Sequence, residues 1–324
     1  MISLPLIVIS GATATGKTSL SIEIAKSLID KKYQAEVINF DSLLFFRELN
    51  IGTAKPTQEE QSGIPHHLMD ICSVQDEMNA NRFCQKAIDI IRELHDKAVI
   101  PIIVGGSAFY IRALIKGMYE GTTISEQTKI DVQKILEEKG FSYIRDQLKE
   151  RDYQSYIDLH ENDEYRNIRA FEYLLQTASP ISEQKNKIDD PYDFSKNQFP
   201  DWNIHHIYLE LPKEEHWPLM KLRTEKMITD GLIDEVKTIL EQGISENEKP
   251  LQSIGYKETI EYIRSSSNDI PALIEKIYIA TRQLAKSQKT FFKKIKPKYN
   301  YHPLKDRDRI LQEAISFIEK TNKE

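Results

Sequence analysis

Gly11-Ala-Thr-Ala-Thr-Gly-Lys17-Thr18 fits the spacing G-x-x-x-x-G-K-[ST], and the chemistry such a loop performs is holding a polyphosphate. Gly11 and Gly16 let the backbone curl, so that the N–H groups along Ala12, Thr13, Ala14 and Thr15 turn inward. The start of a following helix adds partial positive charge. Lys17 supplies a full charge for phosphate oxygens, and the Thr18 hydroxyl suits Mg²⁺. The motif leaves the reaction open. Asp41 is the second reactive group. At a strand end it has three readings: the cation partner of a P-loop kinase or ATPase, a general base that takes a proton from an attacking amine, or a cap for a helix beginning at Ser42. His66 and His67 have no partner ligands at a suitable spacing and are read as structural. Cys72 and Cys84 form no metal or redox spacing and are read as reduced thiols.

These groups need a scaffold, and the hydrophobic pattern supplies one. Leu4 to Ser10 is a continuous apolar run, as in a buried parallel strand. Thr18 to Leu28 has helical spacing. Glu36–Phe40 is a second strand, 81–97 a helix, and Val99–Val104 a third strand that ends at Gly105-Gly106. This alternation predicts an α/β fold, a P-loop NTPase-like parallel sheet flanked by helices. Ligands of such sheets sit beyond the carboxyl ends of the strands. The loops at Gly11–Thr18, Asp41 and Gly105–Ser107 are therefore expected to converge on one crevice.

After Gly121 the pattern changes. Residues 122–196 read as an inserted helical subdomain, with helices over Ile124–Gly140, Tyr143–Glu150 and Asp163–Thr177, and a polar, turn-like stretch from Asp189 to Pro200. Asp163 is the expected N-cap of the third helix. Ile204–Leu211 returns to strand chemistry, and the remainder is mainly helical. The core is thus expected over 1–121 and 197–324. With 40% hydrophobic and 29% charged residues the chain reads as a globular protein, and the short apolar start has neither the length nor the basic flank of a membrane span or leader. A cytoplasmic monomer without a membrane partner is the default expectation. A net charge of −6 does not announce a nucleic-acid binder, so any polyanion surface must be local. Arg282, Lys286, Lys289, Lys293 and Lys296 supply one, since they fall within about 40° of one helical face with no acidic residue between 282 and 298. Leu284, Phe291 and Ile295 are expected to face the core from the other side.

Beyond the loop, several blocks occur in order: Asp41-Ser42-Leu43-Leu44-Phe-Phe-Arg47, Asn50-Ile-Gly-Thr-Ala-Lys-Pro56, Pro65-His66-His67-Leu68-Met-Asp70 and Gly105-Gly106-Ser107-Ala-Phe-Tyr110. Asn162-Asp163-Glu-Tyr-Arg166-Asn-Ile-Arg169, Ile254-Gly255-Tyr256-Lys257 and Ala280-Thr-Arg282-Gln-Leu-Ala-Lys286-Ser-Gln288 follow. Over roughly residues 5 to 296 this series closely resembles the tRNA dimethylallyltransferases, also called tRNA isopentenyltransferases. The Ile51–Pro56 and Pro65–His67 blocks are the most specific, because a P-loop kinase has no need of them.

The resemblance implies transfer of a dimethylallyl group from dimethylallyl diphosphate to N6 of adenosine 37, beside the anticodon, in tRNAs reading codons that begin with U. It implies that Gly11–Thr18, with Arg223 and Arg282, hold the diphosphate and that Thr18 binds Mg²⁺. It implies that Asp41 is the base, with Lys17 and Thr18 beside it in catalysis. Contacts to the tRNA anticodon stem-loop are implied for Asp41–Leu44, Ser107, Tyr165, Arg166, Asn167, Ile168, Arg169, Gln252, Gly255, Tyr256, Lys257 and Lys286. The chain departs from the family at several places. Phe46 stands for a common Tyr, Gln252 and Lys257 for arginines, Leu219 for a frequent Arg, and Ser287 and Phe291 for a frequent Arg and Trp. Several of these changes remove positive charge or donors near the expected RNA side, and they leave Asp41 and the loop intact. Three other activities use the same loop or scaffold: a cytokinin-type adenine-nucleotide prenyltransferase, an ATP-binding small-molecule kinase, and an RNA-binding module without catalysis.

Overall fold

The computed structural model describes residues 3–118, 124–185, 190–265 and 268–321. The chain opens with β1 (Leu4–Gly11), α1 (Lys17–Asp30), β2 (Gln34–Asn39), α2 (Gln58–Gln61), β3 (His66–His67), α3 (Ala80–Asp96), β4 (Val99–Gly105) and α4 (Ala108–Lys116). Four helices follow: α5 (Glu126–Arg151), α6 (Tyr153–Asp158), α7 (Glu164–Thr177) and α8 (Ile181–Lys185). The chain then adds β5 (Trp202–Leu209), α9 (Lys213–Thr229), α10 (Leu232–Glu241), α11 (Tyr256–Arg264), α12 (Ile270–Phe292), β6 (Tyr299–Tyr301) and α13 (Arg307–Thr321).

The strands form one parallel sheet in the order β3-β2-β4-β1-β5-β6. Successive strand residues point to opposite faces, and the two faces have separate cores. Leu6, Val8, Ile38, Ile103 and Tyr208 pack with α3 and α4 on one side. Ile7, Ile9, Val37, Ile102 and Ile207 pack with α1 and α13 on the other. This burial on both faces is why β1 reads as an unbroken apolar run. A third core, built from α10, α11 and α12, encloses Leu49 and Tyr256.

The expected strands and helices are present with boundary shifts of a few residues. The two edge strands, β3 and β6, are two and three residues long and carry no legible periodicity. The basic face does not run to Lys296. Helix α12 stops at Phe292, Lys293 is its C-cap, and Lys296 pairs with Asp193 in an isolated bridge ahead of Pro297. Leu284 is 40% exposed, so the face opposite the lysines is not uniformly buried.

Two compact units are distinguished, 1–116 with 192–324, and 117–191. Residues 192–196 therefore group with the core and not with the insertion. The Tyr192 ring meets Phe291 edge-on at 5.5 Å, Phe194 stacks on His206 at 5.7 Å, and Lys116 Nζ donates to Asp193 O at 2.9 Å. The expected boundary at residues 121 and 122, and the start of the turn at Asp189, lie outside the described residues. Within the second unit, Gly140 at φ 76° breaks α5 into the two expected helical stretches. Asp163 caps α7, its Oδ1 accepting from Arg166 N at 3.2 Å. Val132, Ile144, Leu148 and Phe171 form that unit's own core. No helix among the described residues is long and apolar enough to cross a membrane.

Candidate active site at the strand ends

β2, β4 and β1 are neighbours in the sheet, so the loops after them meet side by side. A pocket opens there, walled by Thr13 of the first loop with Lys17 and Thr18 at the start of α1, Asn39 at the end of β2 with Asp41 and Leu44 beyond it, and Val104 and Gly105 of β4. Thr53, Ala54 and Pro56, with His66, Met69 and Arg223, complete it. Lys17, Thr18, Asp41 and Arg223, separated in sequence, are thus brought together.

The loop is shaped by close contacts. A Cβ on Gly11 would stand 2.7 Å from Leu209 O, and Gly16 has φ 78°. Thr15 Oγ1 and Lys17 Nζ both donate to Ala12 O at 2.8 Å. Burial pulls Lys17 down to about 8; Asp41 opposes that fall and Arg223 adds to it. The Thr13 amide, expected to face a phosphate, instead donates to Gln288 Oε1 at 2.9 Å, while Thr13 O accepts from His216 Nε2 at 2.7 Å. Gln288 Nε2 donates onward to Gly106 O at 3.0 Å. A single amide side chain from α12 therefore fastens the first loop to the turn after β4. No pattern in the sequence marks Gln288 or His216 as a site residue. Each bonds a residue more than 200 positions away, and no local pattern signals that.

Asp41 is held from below. Its N–H donates to Asn39 Oδ1 at 2.8 Å, and Asn39 Nδ2 donates to Asp41 O and Leu68 O, both at 3.0 Å. Ser42 N donates to Ser107 Oγ at 3.1 Å, which joins the segment after Asp41 to the turn after β4; neither serine lines the pocket. His66 Nδ1 donates to Ile64 O at 2.8 Å, and burial keeps this ring below the usual imidazole range, so it is neutral. Burial presses Arg223 downward and Asp41 holds it up; its Nη2 donates to Thr53 O at 2.9 Å. The guanidinium remains charged.

Other expected residues lie elsewhere. Arg282 is absent from the pocket lining and stacks on Trp217, 3.4 Å from the ring centroid. Tyr256 is fully buried, and its hydroxyl donates to Glu235 Oε1 at 2.6 Å, so its side chain faces a core and not an RNA. Gln252 donates to Glu246 O at 2.7 Å, and Gly255 N to Glu258 Oε2 at 2.7 Å. Lys257 and Lys286 are exposed. In the second unit Asn167 is buried, bridging His160 O, Asp163 O and Arg145. Ile168 packs against that unit's core, whereas Tyr165 is 68% exposed and Arg166 and Arg169 are exposed ion-pair partners of Asp163 and Glu172.

A family model described as IPP transferase matches residues 44–295. The chain belongs to the IPP transferase family. Among its relatives, "tRNA dimethylallyltransferase 2" of Syntrophus aciditrophicus is 34% identical over 89% of this chain and 88% of its own. The tRNA dimethylallyltransferase of Chlamydia caviae is 33% identical, covering 89% and 82%. A tRNA isopentenylpyrophosphate transferase structure from Staphylococcus epidermidis matches with TM-score 0.69 and 32% identity over 98% of this chain and 99% of that one. A eukaryotic dimethylallyltransferase acting on tRNA matches with TM-score 0.79 and 26% identity over 98% and 80%.

Proposed function

We propose that this IPP transferase family member moves a dimethylallyl group from dimethylallyl diphosphate to N6 of adenosine 37 in tRNAs that read codons beginning with U, releasing diphosphate. The observation that carries the reading is the pocket where Lys17, Thr18 and Arg223 face the same space as Asp41. Breaking the allylic C–O bond builds negative charge on the leaving oxygen. Lys17 and Arg223 are fixed cations for that charge, in a partly dehydrated setting where they count for more than in water. Asp41, in the same pocket, would receive the proton that N6 loses as it attacks C1.

The Thr18 hydroxyl is the oxygen donor that suits Mg²⁺. Mg²⁺ commonly keeps several waters and is held through one or two protein oxygens plus substrate phosphates. Bound there, Mg²⁺ would add Lewis-acid neutralisation of the diphosphate. For RNA contact, Lys257 and Lys286 are exposed in the first unit, and within the second unit Tyr165, Arg166 and Arg169 are exposed and suited to base stacking and phosphate contact. Enzymes that act on a base take it out of the stack, which the enclosed pocket requires. The free-nucleotide prenyltransferase and kinase readings are not favoured, because relatives across the chain are named for tRNA. We further propose that the protein works as a cytoplasmic monomer.

Incubation with labelled dimethylallyl diphosphate, Mg²⁺ and tRNA lacking the modification should place label in the RNA at adenosine 37. Label transferred to AMP but not to tRNA, or phosphate transfer from ATP without an allylic donor, would overturn this reading.

A further inference from the structure

One wall of the pocket is set by a carboxylate that does not line it. Glu235, on the first turns of α10, is half-buried. Its Oε2 accepts from Ile51 N at 2.8 Å and Asn50 N at 3.1 Å; its Oε1 accepts from Gly52 N at 3.3 Å and from the Tyr256 hydroxyl at 2.6 Å. Four donors thus converge on one side chain. Gly52 lies flat on the Tyr256 ring, where an added Cβ would stand 2.6 Å from ring carbon. The next residue carries the consequence, since Thr53 O is the acceptor that holds Arg223 Nη2 at 2.9 Å. Thr53, Ala54 and Pro56 then wall the pocket beside Arg223. Further along, Lys55 Nζ is tied to Phe46 O at 2.7 Å and to Asp70, so the segment is fixed at both ends.

We propose that Glu235 is a positioning residue for prenyl transfer. By gripping the amides of Asn50, Ile51 and Gly52 it places the Thr53 carbonyl, which aims the Arg223 guanidinium at the diphosphate. The inference rests on the functional reading above. Chemistry selects a carboxylate here, because it accepts at both oxygens and donates at neither. A glutamine would turn an NH₂ toward N–H or O–H donors and break the grip on one side. The pinned segment is the Asn50–Pro56 block, which a phosphate loop alone does not require.

The test is a double-mutant cycle on the full-length protein, reading the Kd for dimethylallyl diphosphate with Mg²⁺ by calorimetry and the two KM values by steady-state kinetics. Glu235→Gln should weaken donor binding about tenfold, the scale of one charge-assisted hydrogen bond. It should leave the KM for tRNA within about twofold, whereas general damage to the fold would move both constants. Arg223→Ala should cost about a hundredfold, and adding Glu235→Gln to it should cost less than about twofold more, because the carboxylate acts through the guanidinium. Full additivity, or a donor Kd unchanged in Glu235→Gln, overturns the inference. Tyr256→Phe leaves the three amides on Glu235 and should keep the donor Kd within about threefold. If Glu235→Gln does not fold, Gly52→Ala, which pushes Gly52 off the Tyr256 ring and so draws its amide away from Glu235, takes its place in the cycle under the same criterion. Wild-type protein that binds no dimethylallyl diphosphate removes the functional reading itself, a result distinct from additivity in the cycle.

Discussion

Lys17 is the residue whose protonation should be felt at accessible pH. Burial lowers its ammonium to about 8, so in the empty site the charge is present below that pH and lost above it. A bound diphosphate favours the charged form, so binding above pH 8 must be accompanied by proton uptake. Donor affinity should be flat up to about pH 7 and weaken by up to about tenfold per unit beyond 8. Lys17→Met should weaken binding and abolish the step, which calorimetry across a pH series would read. Asp41 is expected to act on rate and not on donor affinity. Asp41→Asn keeps the shape and removes the base, so kcat should fall about 10²- to 10⁴-fold with the donor Kd nearly unchanged. A single-turnover assay beside a binding titration separates the two. Lys17, Thr18 and Asp41 were legible because each sits in a short pattern beside a strand. Glu235, Gln288 and His216 were not assigned roles, because their partners are distant in sequence and an isolated Glu, Gln or His carries no spacing to read. Asn167 and Tyr256 show the converse: membership in a matched block does not reveal which way a side chain points.

At the level of elements, α12 does two jobs at once. Its lower half packs on the third core through Leu273 and Ile277, and its upper half presents Gln288 to the two ligand loops. Gln288→Leu would leave the Thr13 N–H and the Gly106 carbonyl without their partner. Stability should fall by about 1–3 kcal/mol, and donor binding should weaken with it. Denaturant unfolding and calorimetry on the same variant would test this. A variant with wild-type stability and wild-type Kd would show that the bridge is dispensable. The long apolar or periodic segments were readable as strands and helices because 3.6- and 2-residue periods need only a few turns to show. The edge strands were too short to show one. The overrun of the basic face to Lys296 came from extending a helical period past Phe292, where the chain instead turns to pair with Asp193. The insertion's trailing border was misplaced because Tyr192 and Phe194, in a polar stretch, pack on core residues that come later in the chain.

At the level of the whole molecule, the sheet buries two adjacent histidines of β5, one on each face. Burial lowers His205 to about 4 and His206 to about 3. Both folded values lie below the unfolded imidazole range, so the unfolded chain takes up protons first. Their contribution to stability is complete above about pH 6.5 and is lost as the pH falls toward 4. Each should cost about 1.4 kcal/mol per pH unit, or about 2 kcal/mol by pH 5. Among the described residues His205 Nε2 has no hydrogen-bond partner, and the ring lies between Tyr299 and Phe317, so His205→Phe removes its share without stranding a partner among them. Unfolding free energies at pH 7 and pH 5 should differ by about 2 kcal/mol less in that variant than in the wild type.

The strand order has a metric consequence. β2, which ends beside Asp41, and β1, which runs into the Gly11–Thr18 loop, are separated only by β4. Two strand spacings are about 10 Å. A breaking bond, a near-attack contact and one hydrogen bond laid end to end span roughly 8 Å. Under the proposed reaction, the pitch of the sheet would thus match a row of leaving oxygen, allylic carbon, amine and proton acceptor. Adjacent strands would crowd that row, and one further strand would leave the amine short of the carbon.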